Sequence, residues 1–197
     1  MGTLTVMEHL TLDGVMQAPG DPDEDTTGGF AHGGWHQPYV DDDFMAIVAD
    51  GSAPEPAAYL FGRRTYDIMA RFWPDMPDDV PFAATLNHTP KYVVSTTQTK
   101  PLAWQNSTLL SSEAGDAVAA LKRDVEGTIA VMGSAQLVRT LMAHDLVDEY
   151  LVMLDPLLLG TGRRLFDGLD KRTPLRLIDT KTTGAGVIFA TYRPDRS

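Results

Sequence analysis

Two arginines follow a single glycine in the segment Gly62-Arg63-Arg64-Thr65, directly after the apolar run Tyr59-Leu60-Phe61. Glycine lets the backbone approach a ligand closely, while guanidinium groups donate charge-assisted hydrogen bonds to phosphate. A helix that begins at this turn would add its free N–H groups and the threonine hydroxyl. The spacing therefore predicts a site for a phosphorylated ligand, with a solvated turn carrying surface arginines as the alternative.

Two further polar turns follow predicted strands later in the chain. Ser95 and Thr96 come after Tyr92-Val93-Val94, and the turn Gly133-Ser134-Ala135-Gln136 comes after Thr128–Met132. Ligands of open α/β sheets gather at the carboxyl ends of the strands. Each turn alone is an ordinary strand end, and the second lacks the spaced glycines of a dinucleotide fingerprint. Together with the arginines they predict one anion-binding edge.

The acids and histidines do not form a recognisable metal motif. The acidic stretch 21–25 fails as a calcium loop, because Thr26 stands where glycine is needed and His32 where glutamate is needed. His32 and His36 are four residues apart, but two glycines between them disfavour a helix-borne zinc pair. The other histidines have no evident partner in the sequence: His9, His88 and His144. We therefore predict no metal site.

Composition limits the function classes. The 197 residues are 43% hydrophobic and 22% charged, which is typical of a single globular domain, here residues 1–197. A net charge of -11 disfavours nucleic acid and anionic membranes as partners. The chain has no cysteine, no signal-peptide pattern and no apolar run long enough to span a membrane, which fits a cytoplasmic protein. The expected partner is a small molecule.

The elements that must position these turns follow from hydrophobic periodicity. A long polar loop from Asp13 to Gln37 follows the first strand, and Pro54 and Pro56 are expected to end the first helix. Strands that alternate with helices, followed by a hairpin, predict an α/β fold with a mostly parallel sheet and an antiparallel C-terminal edge. The predicted strands are Leu4–Leu12, Ala57–Phe61, Lys91–Ser95, Thr108–Leu110, Thr128–Met132 and Tyr150–Leu154, the helices are Asp41–Asp50, Thr65–Phe72, Phe82–Asn87, Gly115–Val125 and Ala135–Ala143, and the hairpin joins Leu175–Thr180 to Val187–Tyr192.

Five motifs in register cover nearly the whole chain and are together fairly specific. With them the chain resembles the dihydrofolate-reductase-like superfamily. The closest branch contains the C-terminal reductase domain of the bifunctional riboflavin-biosynthesis enzyme. The motifs are Leu10-Thr11-Leu12-Asp13-Gly14, Leu60-Phe61-Gly62-Arg63-Arg64-Thr65-Tyr66, Lys91-Tyr92-Val93-Val94-Ser95, Val131-Met132-Gly133-Ser134-Ala135, and Leu146–Tyr150 leading to Pro156–Gly162.

The resemblance implies a dihydrofolate-reductase-like three-layer sandwich that binds NADPH across the sheet. Arg63 would face the adenosine 2'-phosphate with help from Ser95 or Thr96. The pyrophosphate would be approached from two sides: by Gly62, Arg64 and Thr65, and by Gly133, Ser134, Ala135 and Gln136. Preference for NADPH over NADH follows if the arginine meets a phosphate dianion rather than a ribose hydroxyl.

The same resemblance implies which residues would lie near the substrate. The loop between Asp13 and Gln37 lies where the family carries a mobile loop over the nicotinamide, and Trp35 would lie at the pocket rim. Asp13 borders the active site in this branch, although Asp-Gly after a strand is first a turn signal. Asp42 and Asp43 lie on the helix that holds the acid of folate reductases, so either is a candidate proton donor. A solvated helix cap is the alternative.

The predicted function is an NADPH-dependent oxidoreductase that transfers hydride to a pyrimidine-like, pterin-like or carbonyl substrate, with a possible homodimer implied by relatives. Without cysteines for a zinc deaminase, the chain is not the bifunctional riboflavin enzyme itself. The alternative is a non-catalytic module that binds a nucleotide or small ligand with the reductase fold.

Overall fold

The computed structural model of the chain describes residues 1–50 and 55–196. They form two compact units, each built from separate segments: the first is Met1–Thr5 with Pro56–Val147, and the second is Val6–Glu55 with Asp148–Ser197. Strand β1, Thr3–Thr11, begins in the first unit and ends in the second. The prediction of a single domain over residues 1–197 stays a prediction.

The first unit alternates strands with helices, as the periodicity predicts. Its strands β2 to β5 are mutually parallel in the order β4-β3-β2-β5. Leu60, Phe61, Val93 and Val131 are fully buried on them, because parallel strands covered by helices bury both faces. The elements are β2 Pro56–Gly62, α2 Arg63–Met69, α3 Ala83–His88, β3 Lys91–Val94, β4 Ser107–Leu110, α4 Ala114–Asp124, β5 Thr128–Met132 and α5 Ala135–Ala143.

The second unit carries the antiparallel part of the fold. It contains α1 Asp42–Ala49 and three strands, β6 Glu149–Asp155, β7 Leu175–Thr182 and β8 Ile188–Pro194. Strand β8 pairs antiparallel with both β6 and β7. The apolar face of α1 packs on these strands in a core of Phe44, Leu151, Met153, Val187 and Phe189.

The predicted fold class is confirmed. The strand order of the eight-stranded sheet is β4-β3-β2-β5-β1-β6-β8-β7, mostly parallel and ending in the antiparallel C-terminal hairpin. The predicted elements all occur within one or two residues of their predicted starts, and three one-turn 3-10 helices were not predicted, at Thr27–Gly29, Gln37–Tyr39 and Trp73–Asp75. Pro54 lies outside the described residues.

No helix in the described part of the chain is long and apolar enough to cross a membrane. The apolar segment Tyr150–Leu159 begins within the buried strand β6. A homodimer therefore stays a prediction without an assigned surface.

Candidate active site

Three predicted cofactor turns lie at one edge of the parallel strands in the first unit. In the strand register Gly62 stands opposite Val94, so Ser95 follows the strand at the level where α2 begins. Leu60 stands opposite Val131, two residues before Gly62 and Gly133 respectively. The carboxyl ends of β3, β2 and β5 are therefore level, as expected for a ligand edge in an α/β sheet.

The turns after β2 and β5 touch each other. The backbone N–H of Gly62 donates to Ser134 Oγ over 2.9 Å. Gly133 has a φ of +59°, and a Cβ at that position would lie 2.6 Å from Thr65 Cγ2. No side chain fits between these turns, so Gly133 is required both by its backbone conformation and by the contact with Thr65.

In the described part of the chain, the two helices that start at this edge, like α3, lack the side-chain caps that α1 and α4 have. Asp41 caps α1 and Glu113 caps α4. Among the described residues, neither Gly62 at α2 nor Ser134 at α5 makes a side-chain cap hydrogen bond. The first N–H groups of a helix have no intrahelical partner, so those at the start of α5, beside Ala135 and Gln136, are left without a capping side chain.

Arg63 and Arg64 are both exposed at the start of α2. Arg63 Nη1 lies 3.2 Å from Asp67 Oδ2 in an ion pair one turn along the helix, with about half of each side chain exposed. An exposed pair of this kind contributes little stability and is easily exchanged for another partner. Arg63 is therefore held near the edge by Asp67 and remains accessible to an anion.

Ser95 shapes the third turn with its hydroxyl. Ser95 Oγ accepts hydrogen bonds from the N–H groups of Thr97 and Gln98, over 3.2 and 3.1 Å, and the residue is buried. Thr96 is exposed beside it. Of the two predicted hydroxyl donors, Thr96 is therefore the more accessible.

In the second unit, Asp13 anchors the loop that follows β6. Its carboxylate accepts hydrogen bonds from Thr11 Oγ1 at 2.6 Å and from the N–H of Gly160 at 2.9 Å, and Arg164 Nη2 lies 3.1 Å away. The hydrogen bond from Thr11 leads the effects that hold the pKa of Asp13 well below its usual range, with the Gly160 N–H adding to it. Asp13 has the structural role that a turn signal predicts, and contact with substrate stays a prediction.

The long loop after β1 is fastened at several points. Trp35 is buried with Val15, Ala18 and Phe30, and its Nε1 donates to the carbonyl of Gln17 over 2.7 Å. The Gln17 side chain accepts from the N–H of Arg163, which also pairs with Asp25. Trp35 therefore helps to order this loop, and its place at a substrate rim stays a prediction.

The acids at the start of α1 hold the turn between β7 and β8. Asp41 accepts from the N–H of Phe44 as a helix cap and, through its other oxygen, from the N–H of Ala185 over 2.8 Å. Asp43 Oδ2 accepts from the N–H of Gly184 over 2.9 Å, and Asp42 beside it is exposed. A catalytic role for Asp42 or Asp43 stays a prediction, and Asp43 already has a structural one.

A cluster that sequence reasoning misses lies in the second unit, formed by His9, His36 and Asp155. His9 is on β1, His36 follows Trp35, and Asp155 is the last residue of β6. His36 Nδ1 lies 2.7 Å from Asp155 Oδ1, and His9 Nδ1 lies 4.0 Å from Asp155 Oδ2. In the sequence, His9 and Asp155 are isolated polar residues in strand-like runs and His36 lies in the long polar loop, so nothing there reveals that the three meet.

Burial dominates the ionisation of this cluster. Loss of solvent lowers the pKa of His9 well below its ordinary value, and the nearby His36 adds to this effect. Burial raises the pKa of Asp155, although the hydrogen bond with His36 opposes the change. For His9 and Asp155, the surroundings thus disfavour the charged form.

A known protein family matches nearly the whole chain. The sequence model of the RibD C-terminal domain family aligns with residues 3–189. Among curated proteins, the uncharacterized protein YyaP of Bacillus subtilis is 29% identical over 136 residues, which is 68% of this chain and 71% of YyaP.

Solved structures share the fold at low sequence identity. A provisionally assigned riboflavin biosynthesis protein of Shewanella sp. PV-4 is 22% identical, with a TM-score of 0.68 over 98% of this chain and 99% of that one. Dihydrofolate reductase from Enterococcus faecalis, solved with NADP(H), is 15% identical, with a TM-score of 0.62 over 98% of this chain and 97% of that one. At these identities the likeness establishes the fold and assigns no residue roles.

Proposed function

Because the chain belongs to the RibD C-terminal domain family, we propose that it is an NADPH-dependent reductase of a small heterocyclic or carbonyl compound. A pyrimidine or pterin relative is the leading candidate for the substrate, as in the riboflavin-biosynthesis branch that the sequence resembles. When bound, NADPH would supply the hydride that reduces a polarised C=N or C=O bond. The chain's own residues must bind, orient and protect the reactants.

The donor set of the first unit fits the phosphates of a dinucleotide. The observation that carries the proposal is the contact between the turns after β2 and β5, where Gly62 N–H meets Ser134 Oγ and Gly133 meets Thr65. The uncapped start of α5 adds N–H groups, which bind anions without a charged side chain. Gly62, Thr65 and Gly133 to Gln136 would hold the pyrophosphate with help from Arg64.

Arg63 would select the phosphorylated cofactor. It is accessible and lies next to the turn that carries Ser95 and Thr96, because Gly62 is level with Val94 in the strand register. A guanidinium and a hydroxyl can together bind a phosphate dianion, and neither gains as much from a ribose hydroxyl. We therefore assign Arg63 and Thr96 to the 2'-phosphate, with Ser95 holding the turn in shape.

Asp13 and Trp35, both in the second unit, are the proposed substrate contacts. Asp13 and Trp35 are fixed by hydrogen bonds of 2.9 Å to Gly160 and 2.7 Å to Gln17, so they would present a rigid rim to the substrate rather than a mobile one. Reduction of C=N or C=O also needs a proton at the nitrogen or oxygen. Asp42 and Asp43 are the proposed donors, and Asp42 is the less constrained of the two.

A non-catalytic nucleotide-binding module is the second candidate. It is favoured by the structural engagement of the acids at the start of α1, since Asp41 and Asp43 both accept hydrogen bonds from the turn between β7 and β8. Such a protein would keep the phosphate-binding edge of the first unit and would have lost proton delivery.

Turnover separates the two candidates. Purified chain is incubated with NADPH and a panel of pyrimidines, pterins and small carbonyl compounds, and the loss of reduced-nicotinamide absorbance is followed. The reductase predicts substrate-dependent oxidation that Asp42→Asn slows and that Asp124→Asn, at an exposed acid on α4, leaves unchanged. Binding of NADPH without oxidation by any acceptor would favour the module. No binding at millimolar NADPH would exclude the reductase and any module specific for this dinucleotide.

A further inference from the structure

Three side chains that commonly bind metal ions converge in the second unit. One ring nitrogen each of His9 and His36 and a carboxylate oxygen of Asp155 all lie within 4.8 Å of one another. We propose that this cluster binds one divalent transition-metal ion through two imidazole nitrogens and one carboxylate. The proposal does not depend on the reductase function.

Unpartnered polar atoms are the first support for the site. Asp155 is completely buried, and its Oδ1 has His36 as a partner while its Oδ2 has none in the described residues. His9 Nδ1 is also buried and has no hydrogen bond within the same ranges. A buried polar atom without a partner is destabilising, so two of them in one cluster need an explanation.

The hydrogen bond between His36 Nδ1 and Asp155 Oδ1 leaves His9 Nδ1 and Asp155 Oδ2 without a hydrogen-bond partner among the described residues. His9 Nδ1 and Asp155 Oδ2 face each other over 4.0 Å, which is too long for a hydrogen bond. A single cation between the three residues would coordinate both of these atoms and His36 Nδ1 as well. One ion would thus bind the two buried atoms that have no hydrogen-bond partner in the described ranges, His9 Nδ1 and Asp155 Oδ2, and would replace the proton between His36 and Asp155.

The distances are close to those of a coordination sphere. Zinc lies about 2.0–2.2 Å from imidazole nitrogen and carboxylate oxygen, so the ligand atoms of a tetrahedral site are about 3.4 Å apart. His36 Nδ1 lies 2.7 Å from Asp155 Oδ1, and His9 Nδ1 lies 4.0 Å from Asp155 Oδ2, so the two separations fall on either side of that value. Small side-chain rotations would therefore complete the site without movement of the strands.

The ligands are held by rigid and apolar surroundings. His9 and Asp155 lie on strands, and the two imidazole rings pack together with centroids 3.8 Å apart. Phe44 packs on both rings, with its centroid 5.0 Å from His36 and 6.0 Å from His9. Rings fixed in this way lose little entropy on binding, and the apolar shell strengthens the attraction between ion and carboxylate.

The donor set defines the class of ion. Two nitrogens and one oxygen suit Zn²⁺, Co²⁺, Ni²⁺ or Fe²⁺, whereas Ca²⁺ and Mg²⁺ prefer oxygen ligands alone. Three protein ligands leave a position for water or another small ligand, as in catalytic rather than structural zinc sites. The chain has no cysteine, so no thiolate competes for the ion.

Metal titration of untagged protein tests the proposal. After treatment with a chelator and dialysis, Zn²⁺ binding is measured by calorimetry and Co²⁺ binding by its visible absorption. We expect one ion per chain. His9→Gln, His36→Gln and Asp155→Asn should each weaken binding at least about 100-fold, because even outer-shell partners of a metal contribute about 10- to 100-fold. His88→Gln is the matched control, since His88 is an exposed histidine 2.9 Å from Asp78 and should leave binding unchanged.

The outcomes that would overturn the site are equally specific. They are the absence of saturable binding to wild-type protein, retention of full affinity by all three ligand variants, or an equal loss in His88→Gln. Circular dichroism checks the fold of each variant, and the wild-type titration decides the question even if a variant unfolds. NADPH binding by the metal-free protein is measured separately, so failure of the metal site is distinguishable from failure of the reductase proposal.

Discussion

Arg63 is the residue on which we propose that cofactor selectivity depends, and Asp67 pairs with it. The pair is half-exposed with 3.2 Å between Nη1 and Oδ2, so it contributes about 0.2–1 kcal/mol. Asp67→Asn should release Arg63 and tighten NADPH binding up to about 5-fold, with NADH unchanged, as measured by calorimetry. Asp124→Asn on α4 makes the same change in net charge and should have little effect. Equal tightening of both cofactors would contradict a role for Arg63 at the 2'-phosphate.

Asp25 is the residue whose ionisation should link stability to pH. Burial would raise its pKa, but hydrogen bonds from Thr27 and Arg163 outweigh this effect and lower the pKa to about 2 from 3.8. The stabilisation is therefore fully present above the unfolded pKa and is lost as the pH falls toward 2. Asp25→Asn should lower the free energy of unfolding by about 1–2 kcal/mol at pH 7.

Urea unfolding at pH 7 and pH 3 checks this linkage. The difference in free energy of unfolding between wild type and Asp25→Asn should shrink at pH 3, because part of the stabilisation by the ionised Asp25 is lost there. Asp23→Asn, at an exposed acid in the same loop, is the control. A difference that is the same at both pH values would show that Asp25 acts through packing rather than charge.

At the scale of elements, disturbing the contact between the turns after β2 and β5 should lower the free energy of unfolding. In Gly133→Ala the new Cβ would lie 2.6 Å from Thr65 Cγ2, and alanine would also adopt a φ of +59°. The backbone conformation alone costs about 1–2 kcal/mol, and the clash adds to it. The variant should lose more than this in urea unfolding and should bind NADPH at least about 10-fold more weakly.

Two matched variants separate the contact from the backbone. Gly160 has a φ of +70°, and a Cβ added there would have no other atom within 4 Å, so Gly160→Ala should show the backbone cost alone. Thr65→Ala combined with Gly133→Ala removes the clashing methyl and should recover part of the lost stability. If Gly133→Ala and Gly160→Ala were equally stable, the close approach of the two turns would be wrong.

The elements were largely predictable, since each depends on local periodicity. Strand β5 and helix α5 have the predicted bounds, because an apolar run and a polar turn mark both ends. Lys91 shows the limit of such reasoning: it opens β3 yet is fully buried, with Nζ donating to the carbonyls of Leu86, Asn87 and Thr89. The sequence around a lysine does not show that its ammonium group will donate to the carbonyls at the end of the preceding helix.

Distance along the chain also decides which parts of the candidate sites could be predicted. That the three turns lie at one edge was predictable, because each follows a strand directly and parallel strands bring their carboxyl ends together. Phosphate binding by these turns stays a prediction. The cluster of His9, His36 and Asp155 was not predictable, because 119 residues separate His36 from its partner. The structural uses of Asp13 and Asp43 also depend on distant backbone N–H groups, at Gly160 and Gly184, which carry no side-chain signal.

At the scale of the whole molecule, the net charge of -11 opposes the binding of any anion. NADPH is strongly anionic, so a local cluster of cations and N–H groups must outweigh a repulsive field. If it does, bound NADPH stabilises the chain by mass action, by about 2.7 kcal/mol at a concentration 100 times Kd. In the proposed function, the groups that outweigh this field are those at the edge of the first unit.

Calorimetric titration of wild type and Arg63→Ala with NADPH and NADH tests this account most directly. We predict that wild type prefers NADPH and that Arg63→Ala loses about 10- to 100-fold in NADPH affinity, the equivalent of one or two charge-assisted hydrogen bonds. NADH affinity should change less than about 3-fold, and Arg71→Ala, at an exposed arginine whose Nε donates to the Asp67 carbonyl, should preserve the preference. Equal affinity of wild type for the two cofactors, or no binding of either, would contradict the account.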